Sequence, residues 1–309
     1  MARSRLAGVL CLDKPPDVTS RDVVNVIAGL ARANRVGHAG TLDPLATGIL
    51  VVCVGWATRL VPLIQQFAKR YRAEFELGLS SDTDDRTGVV TRLSNGPWPV
   101  RQQLEHRLPH YSGRIMQVPP QFSAIHTGGQ RAYDLARRGE TVDLPPRPVE
   151  VHQLELIDWQ PPRFTLEVEC GSGTYIRSLG RDLGRDLMCG AVLQALDRTA
   201  VGPFVRSGSV PLDRLQRDTW RESLRSPLAV VEHLPRRVIS SSEGKLLQLG
   251  RRLPCAEASM SRCPKPGELV ALVTPESDLV ALGEFLFDLA EIQPRHVFPE
   301  PLGQWLAGE

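Results

Sequence analysis

Two apolar segments flank one polar loop near the start of the chain. The apolar positions with helical spacing before the loop are Val23, Val24, Ile27, Leu30 and Ala31. Thr19, followed three residues later by Asp22, has the pattern of a capping box, so the predicted helix runs from Thr19 to about Asn34. After the loop, residues 49–54 form an uninterrupted apolar run, which predicts a buried strand.

Two later segments alternate apolar and polar residues, which is the pattern of a half-buried strand. Their apolar faces consist of Tyr71, Ala73, Phe75 and Leu77 in the first and Phe164, Leu166, Val168 and Cys170 in the second. Tyr71 is therefore predicted to share the inward face of its strand.

A glycine-rich turn at residues 171–173 precedes a predicted amphipathic helix. The buried side of this helix contains Ile176, Leu179, Leu183 and Leu187. Arg177, Arg181 and Arg185 recur every four residues on another side. For Arg181 and Arg185 we favour a solvated face, because neighbouring aspartates balance their charges. Arg177 differs, because the first turn after the glycine-rich bend places it at the mouth of the predicted sheet.

Strands interleaved with proline-rich turns predict the fold class α+β, with a mixed, largely antiparallel sheet and flanking helices. From about residue 236 the chain shows short apolar runs, such as residues 269–273 and 279–282, which predict a small C-terminal β domain. The predicted domains are therefore residues 1–235 and 236–309.

Composition sets only broad limits on function. A chain of 309 residues with 42% hydrophobic residues can bury a full core. The net charge of +2 is too small to imply a nucleic-acid partner by itself. Only four of the 37 basic residues are lysine, and arginine suits phosphate contacts and base stacking, although a GC-rich coding sequence explains the excess more simply.

Several common classes of protein find no support in the sequence. The six cysteines form no Cys-x-x-Cys pair, which argues against zinc and a disulfide framework and fits a reduced cytoplasm. Residues 45–58, an uncharged and largely apolar stretch, are too few to span a bilayer, and residues 6–12 lack the features of a signal peptide. Neither a Gly-x-x-x-x-Gly-Lys nor a Gly-x-Gly-x-x-Gly phosphate loop is present.

The loop at residues 37–48 contains one acidic residue, Asp43. Gly37 and Gly40 permit a tight turn, and Pro44 favours an extended conformation at Asp43. Judged alone, Asp43 is more simply interpreted as a turn or capping residue than as a group that takes part in chemistry.

The whole loop, Gly-His-Ala-Gly-Thr-Leu-Asp-Pro-Leu-Ala-Thr-Gly, closely resembles the loop that carries the aspartate nucleophile in the TruB family of tRNA pseudouridine synthases. Further motifs that resemble this family are Leu12-Asp13-Lys14-Pro15, Lys69-Arg70-Tyr71, Gln117-Val118-Pro119-Pro120, Gly173-Thr174-Tyr175-Ile176-Arg177 and Gly190 to Leu196. The resemblance is strong over residues 8–204. It is weaker over the final segment, which resembles a PUA-type RNA-binding domain.

The resemblance implies a pseudouridine-synthase catalytic domain at residues 1–235, with a tRNA-contacting insertion at about 112–147, and a PUA-like domain at 236–309. It implies isomerisation of the uridine at position 55, in the T loop of tRNA, by a cytoplasmic enzyme. Neither a cofactor nor a metal is expected. The expected partner is the T arm of tRNA, with no obligatory protein partner, no membrane and a monomeric chain.

The resemblance also assigns roles to residues of this chain. Asp43 corresponds to the nucleophile, Arg177 to the arginine that pairs with it, and Tyr71 to the residue that stacks on the target base and serves the C5 proton step. His38, Tyr175 and Leu196 correspond to residues that hold or line the flipped nucleotide. Lys14 and Pro15 resemble support for the catalytic loop.

Isomerisation of uridine breaks the N1–C1′ bond, turns the base and joins C5 to C1′. A carboxylate can attack C1′ or help to form another sugar intermediate, and the sequence leaves both routes open. Two other functions also stay open: the catalytic subunit of a guide-RNA pseudouridylation particle, and an RNA-binding or tRNA-folding module. The intact Asp43, Tyr71 and Arg177 argue against a module without activity, and the insertion favours direct tRNA binding.

Three positions depart from the family pattern, and one of them is Gly171, which stands where serine is frequent. Asp17 stands where glycine is usual, and Asp197 replaces a basic residue after Leu196. We interpret the region of Asp197 as a helix end, where a carboxylate would repel a phosphate.

Overall fold

The computed structural model describes residues 6–32, 35–123, 126–127, 130–131, 135, 138, 142–255, 260–299 and 301. The α-helices are α1 (Ser20–Ala31), α2 (Val61–Gln66), α3 (Arg101–Arg107), α4 (Ile176–Asp186) and α5 (Ser241–Gln248). The strands of the first two thirds are β1 (Gly8–Lys14), β2 (Val36–His38), β3 (Thr47–Val54), β4 (Lys69–Leu77), β5 (Leu79–Ser81), β6 (Val90–Arg92), β7 (Gly113–Gln117), β8 (His126–Thr127), β9 (Gln130–Arg131), β10 (Arg147–Gln160), β11 (Arg163–Cys170) and β12 (Ala191–Val201). The later strands are β13 (Phe204–Val205), β14 (Val210–Pro211), β15 (Arg236–Val238), β16 (Leu253–Pro254), β17 (Leu269–Val273), β18 (Leu279–Leu286) and β19 (Glu291–Val297).

A large mixed sheet carries the candidate site. Its strand order is β14-β1-β3-β12-β4-β11-β10-β7, with β2 paired to β3 and β13 paired to β12. Only the β1–β14 and β3–β12 pairs are parallel. Buried residues of α1, α3 and α4 pack together with one face of this sheet. The predicted fold class, with a largely antiparallel sheet and flanking helices, is therefore confirmed.

Most of the predicted elements are present close to their expected bounds. The strands around residues 49–54, 71–77 and 164–170 are β3, β4 and β11. The capping box of α1 is also confirmed, since the backbone N–H of Asp22 donates to the Thr19 hydroxyl and the Asp22 carboxylate accepts from the Thr19 N–H. Helix α1 ends at Ala31, before the predicted end at Asn34, which lies outside the described residues.

The helix end predicted near Leu196 is wrong, because residues 191–201 form strand β12. This strand pairs with β4 along one edge and with β3 along the other, in the middle of the large sheet. Strand pairing on both edges gives the backbone N–H and C=O groups partners that a helix end would not provide.

Helix α4 packs very closely on β4 at Gly180. A Cβ atom at this position would lie 2.1 Å from a ring carbon of Phe75, so only glycine allows the helix to come this near. The close approach holds α4, whose first turn contains Arg177, against the central strand β4 of the large sheet.

A second sheet near the C-terminal end has the order β15-β17-β18-β19-β16 and packs with α5. Its residues share a hydrophobic core with the large sheet: Trp56 stacks on Phe298 with 4.6 Å between ring centroids, and Ile49 and Val273 belong to the same buried cluster. The boundary at residues 235 and 236 stays a prediction.

The predicted insertion at about 112–147 is described only in part. Strand β7 joins the large sheet beside β10, and β8 pairs with β9. Within the expected tRNA-contacting segment, residues 124–125, 128–129, 132–134, 136–137 and 139–141 lie outside the described residues. None of the described helices has the length and apolar character needed to cross a membrane.

Candidate active site around Asp43 and Arg177

A fully buried lysine, Lys14, holds the loop that carries Asp43 in place. The Lys14 ammonium donates to the carbonyl oxygens of Pro15 (2.8 Å), Val18 (2.7 Å) and Pro44 (3.2 Å). Burial lowers the pKa of Lys14 to about 8, and the nearby carboxylates of Asp17 and Asp43 oppose this change. These three bonds tie the turn after β1 to the residue that follows Asp43.

A buried serine holds the other side of the loop. The Ser20 hydroxyl donates to the Leu42 carbonyl at 3.1 Å and accepts from the Leu42 N–H at 2.9 Å. Because Ser20 is the first residue of α1, these two bonds connect the position of Asp43 to a helix rather than to a free loop.

Asp43 forms a two-pronged ion pair with Arg177. The Arg177 Nε lies 2.9 Å from Asp43 Oδ2, and a terminal nitrogen donates to Oδ1 at 3.3 Å. The guanidinium also donates to the carbonyl oxygens of Thr83 (2.7 Å) and Phe122 (3.0 Å) and lies 3.7 Å from the Asp85 carboxylate. Arg177 is 5% exposed, whereas the Asp43 side chain is 34% exposed. The carboxylate therefore has one side on a fixed cation and the other open to a ligand.

Two opposing influences act on the Asp43 carboxyl. Burial and the nearby charge of Asp85 raise the pKa of Asp43 above the ordinary aspartate value, while Arg177 acts in the opposite direction. The Asp85 carboxylate stays fixed because it accepts hydrogen bonds from the hydroxyls of Thr83 (2.8 Å) and Thr87 (2.6 Å). A carboxylate with a raised pKa is more basic and less stabilised, which suits a group that must react.

We expect the acid limb of the activity profile to reflect this raised pKa. If the ionised form of Asp43 reacts, the single-turnover rate on tRNA falls as the pH drops through the pKa of Asp43. This fall should occur at a higher pH than the pKa of an ordinary aspartate would give. In Asp85→Asn, one of the groups that raise this pKa is neutralised, so the midpoint of the limb should move to lower pH. An unchanged or higher midpoint in Asp85→Asn would contradict the assignment.

A cavity of about 400 Å³ opens beside the Asp43–Arg177 pair. Its lining includes Asp43, Tyr71, Tyr175, Arg177, Leu196 and Arg198. Five of the residues predicted from the sequence are thus brought together. Lys14, Pro15 and His38 are not in this lining, and the supporting role of Lys14 and Pro15 stays a prediction.

Tyr71 is buried in β4 and reaches the cavity from the sheet. It is 9% exposed, and its backbone is paired with that of Arg198 on β12. Burial raises the pKa of the Tyr71 hydroxyl, while the charge of Arg198 and a hydrogen bond from it oppose this rise. The phenol therefore stays protonated at neutral pH and lies beside a cation.

Tyr175 is held by a buried glutamine. The Gln117 side chain accepts from the Tyr175 N–H at 2.8 Å and donates to the Tyr175 carbonyl at 3.0 Å. Since Tyr175 is the residue before α4, Gln117 also fixes the start of the helix that carries Arg177. The sequence placed Gln117 in a matching motif without predicting this role.

His38 ends β2 and lies close to the Asp43 loop rather than in the cavity. Burial and the charges of Arg198 and Arg21 lower its pKa, so the imidazole is neutral at physiological pH. Its role in holding a flipped nucleotide stays a prediction.

Asp17, which stands where the family has glycine, adopts a left-handed backbone conformation. Its φ is 61°, and its N–H donates to the Pro44 carbonyl at 2.8 Å. We expect Asp17→Gly to raise the free energy of unfolding by about 1 kcal/mol and Asp17→Ala to lower it, because only glycine adopts this conformation without a steric penalty. Urea unfolding measures both. Asp17→Asn separates the lost charge from the backbone effect, and a less stable Asp17→Gly would refute this explanation.

Asp197 is occupied by contacts within the protein. Its carboxylate accepts from the Thr47 hydroxyl at 3.0 Å and pairs with Arg206. It lies in β12 rather than at a helix end. These contacts tie β12 to the residue just before Gly48, where a Cβ atom would come within 2.3 Å of the Arg198 carbonyl oxygen.

Three charged residues near the site were not predicted as functional: Lys69, Asp85 and Arg198. Arg198 lies on the inward face of a strand, between Leu196 and Ala200. A charged residue at such a position points to a functional role, but the sequence interpretation treats this region as a helix end. Asp85 lies directly after Asp82-Thr83-Asp84, which resembles the turn that follows the tyrosine-bearing strand of the family. The described residues contain no group of three or more His, Cys, Asp or Glu side chains arranged to hold a metal ion.

Comparison with known proteins identifies the family. Residues 29–176 match the family described as TruB family pseudouridylate synthase (N terminal domain), and residues 177–244 match the tRNA pseudouridylate synthase B C-terminal domain. A tRNA pseudouridine synthase B from Sinorhizobium medicae (strain WSM419) is 41% identical over 304 residues, covering 95% of this chain and 96% of the relative. One from Microcystis aeruginosa (strain NIES-843 / IAM M-2473) is 39% identical over 306 residues, covering 95% and 99%.

Solved structures with the same fold include complexes that contain Cbf5. The crystal structure of a Cbf5-Nop10-Gar1 complex contains a chain with a TM-score of 0.71 and 26% identity, covering 96% of this chain and 86% of that one. The archaeal box H/ACA sRNP Nop10-Cbf5 complex gives a TM-score of 0.70 at 25% identity, covering 96% and 87%. Since the sequence matches span nearly the whole chain at about 40% identity, this protein belongs to the TruB family of pseudouridylate synthases.

Proposed function

We propose that this protein isomerises the uridine at position 55, in the T loop of tRNA, to pseudouridine in the cytoplasm, with Asp43 as the nucleophile. The substrate is proposed from the names of its relatives, which are tRNA pseudouridine synthases. The position in the T loop is proposed from the motifs that resemble the family.

The observation that carries the proposal is the Asp43–Arg177 pair at the edge of the cavity. Its contacts of 2.9 Å and 3.3 Å fix both carboxylate oxygens in place, while the partly exposed side chain leaves their remaining lone pairs accessible to the sugar. Reaction at C1′ needs an ionised carboxylate at a fixed position beside a space that can take a nucleotide. The cavity volume of about 400 Å³ lies within the range typical of small-molecule sites.

The remaining cavity residues suit a base taken out of its stack. The buried Tyr71 ring offers a face for stacking, and its hydroxyl can take the C5 proton if it passes its own proton on at the same time. Leu196 and Tyr175 provide apolar surface on which the uracil can turn between bond breaking and bond formation. The reaction itself needs no redox cofactor, since pseudouridine is an isomer of uridine.

A second candidate function comes from the structural neighbours. These structures are assemblies of Cbf5 with Nop10 and, in one of them, Gar1, so the same fold serves there as one subunit of a larger complex. We favour direct action on the T arm of tRNA by a monomer that needs no protein partner, because the relatives at about 40% identity are named tRNA pseudouridine synthases.

The test is to incubate the purified protein with unmodified tRNA transcript, without cofactor, metal or partner protein. Pseudouridine is mapped by carbodiimide-dependent stops of reverse transcription. We expect one new stop at position 55, and none in a transcript in which this uridine is replaced by cytidine. Tight tRNA binding without a stop would favour the particle or folding-module functions, and a stop at another position would refute the proposed target.

A further inference from the structure

Arg198 is a buried cation in the cavity wall that has no carboxylate partner among the described residues. It is 1% exposed. Its Nε donates to the Ile49 carbonyl at 2.7 Å, and its terminal nitrogens donate to the carbonyls of Gly40 (3.0 Å) and Thr41 (3.4 Å). These partners are neutral dipoles, so Arg198 keeps its full positive charge in a poorly solvated place.

The carboxylates near Arg198 form their contacts with other groups. Asp43 pairs with Arg177, and Asp197, the chain neighbour of Arg198, bonds to Thr47 and Arg206. An unpaired buried charge is costly to maintain, and a purely structural role could be filled by a neutral donor. The arrangement therefore suits a site in which a negatively charged group lies beside Arg198 only during binding or reaction.

A second buried cation strengthens the positive field. Lys69 is 6% exposed, lines the same cavity and donates to the Gln65 carbonyl. Burial and then the charge of Arg198 lower the pKa of Lys69, and Arg198 also helps to lower the pKa values of Lys14 and His38. Because Arg177 is balanced by Asp43 and Asp85, the surplus positive charge of the wall lies at Arg198 and Lys69.

Cleavage of the glycosidic bond creates negative charge that the cations of this cavity wall can stabilise. The electron pair of the N1–C1′ bond leaves with the base, which becomes a uracil anion with charge spread over its ring nitrogens and oxygens. This holds whether C1′ bonds to the Asp43 carboxylate or passes through another sugar intermediate. No cofactor is needed to take up the charge, so the cavity itself must stabilise it.

We propose that Arg198 stabilises the uracil anion formed when the N1–C1′ bond breaks, acting from beside Tyr71; this inference rests on the proposed function. When C5 then bonds to C1′, the electron pair of the anion is used in the new bond and Asp43 is released. One proton leaves C5 and one is taken up at N1, so the atoms and charges of substrate and product balance. Arg198 exchanges no proton and acts through its charge.

The test compares two substrates that differ in how well the base carries negative charge. Fluorine at C5 withdraws electrons and makes the uracil anion more stable. Wild type and Arg198→Met are given tRNA with uridine or 5-fluorouridine at the target position, with enzyme in excess. Loss of the N1-linked nucleoside is followed by digestion and chromatography, which measures bond breaking without needing the C5 proton step.

For Arg198→Met we expect the rate on uridine to fall about 100-fold. The ratio of the 5-fluorouridine rate to the uridine rate should rise about tenfold above the wild-type ratio, because the better leaving group needs less help. An equal loss on both substrates would mean that Arg198 only positions the loop, and would overturn the inference while leaving the proposed function intact. A wild type without activity on uridine would instead overturn the proposed function.

Three further variants keep the result interpretable. Arg198→Lys retains the charge, so we expect its rate to differ from wild type only through the lost carbonyl bonds and its substrate ratio to stay near the wild-type value. Arg198→Gln is the neutral replacement if circular dichroism shows that Arg198→Met does not fold. Arg237→Met removes another buried arginine, which pairs with Glu243 in the C-terminal part, and should leave both rates unchanged.

Discussion

Asp43→Asn is expected to bind tRNA normally and to lose turnover by about 10⁴-fold or more. The amide keeps the size of the side chain and can still accept a hydrogen bond from Arg177, but it is a far weaker nucleophile than a carboxylate. Single-turnover pseudouridine formation and a tRNA binding isotherm measure the two properties separately. Turnover near the wild-type rate would remove Asp43 from the mechanism.

The matched control is Asp84→Asn. Asp84 is also a buried carboxylate paired with an arginine, Arg181 at 2.8 Å, but it is not in the cavity lining. We expect this variant to keep most of its turnover, because the loss of a buried ion pair one turn farther along α4 does not remove a reacting group.

The stability of Asp43→Asn provides a second check. The pKa of Asp43 is raised in the folded state, so the unfolded chain loses this proton at lower pH than the folded chain does. Above the folded pKa, ionised Asp43 therefore lowers the free energy of unfolding, and the amide removes this cost. At neutral pH the variant should be at least as stable as wild type, with the difference disappearing in acid. A lower melting temperature at neutral pH would indicate that lost turnover reflects a damaged fold.

Arg177→Lys is expected to reduce turnover by about 10²- to 10³-fold. The guanidinium contacts both Asp43 oxygens and the carbonyls of Thr83 and Phe122 at the same time, and an ammonium group cannot reproduce this planar geometry. The charge is kept, so the loss measures positioning more than electrostatics. Turnover within a few-fold of wild type would show that the fork is not needed.

Arg181→Lys is the appropriate comparison for Arg177→Lys. Arg181 lies one turn later on α4 and also forms ion pairs, with Asp84 and Asp182, but it lies outside the cavity that contains Asp43. The same change there should alter stability slightly and leave the single-turnover rate near that of wild type.

Local patterns were sufficient to predict the elements and the two principal residues. Asp43 and Arg177 each lie inside a short matching motif with its own turn and helix start, and the structure brings them within 2.9 Å although 134 positions separate them. The strand alternation likewise predicted that Tyr71 is buried. These features depend on residues close together in the chain.

The residues that were missed depend on pairing between distant strands. Arg198 reaches the cavity because β12 pairs with β4 in a register that places it beside Tyr71, with a bulge between Arg198 and Ala200. Apolar and polar periodicity does not specify which strands become neighbours. Asp85 belongs to the site only because α4 brings Arg177 to within 3.7 Å of it, and the sequence does not show this long-range contact.

The core shared by the two sheets also affects how the chain folds during synthesis. The face of the large sheet that contains Ile49, together with Trp56 just after β3, is covered by Val273 and Phe298, more than 200 positions later in the chain. While the ribosome is still making the intervening residues, this face is hydrophobic and uncovered. The nascent chain therefore passes through a period when its catalytic loop can already form but the Ile49 face of the sheet is still uncovered. During this period that face is exposed to aggregation or chaperone binding, and the period ends only when Phe298 has emerged from the ribosome.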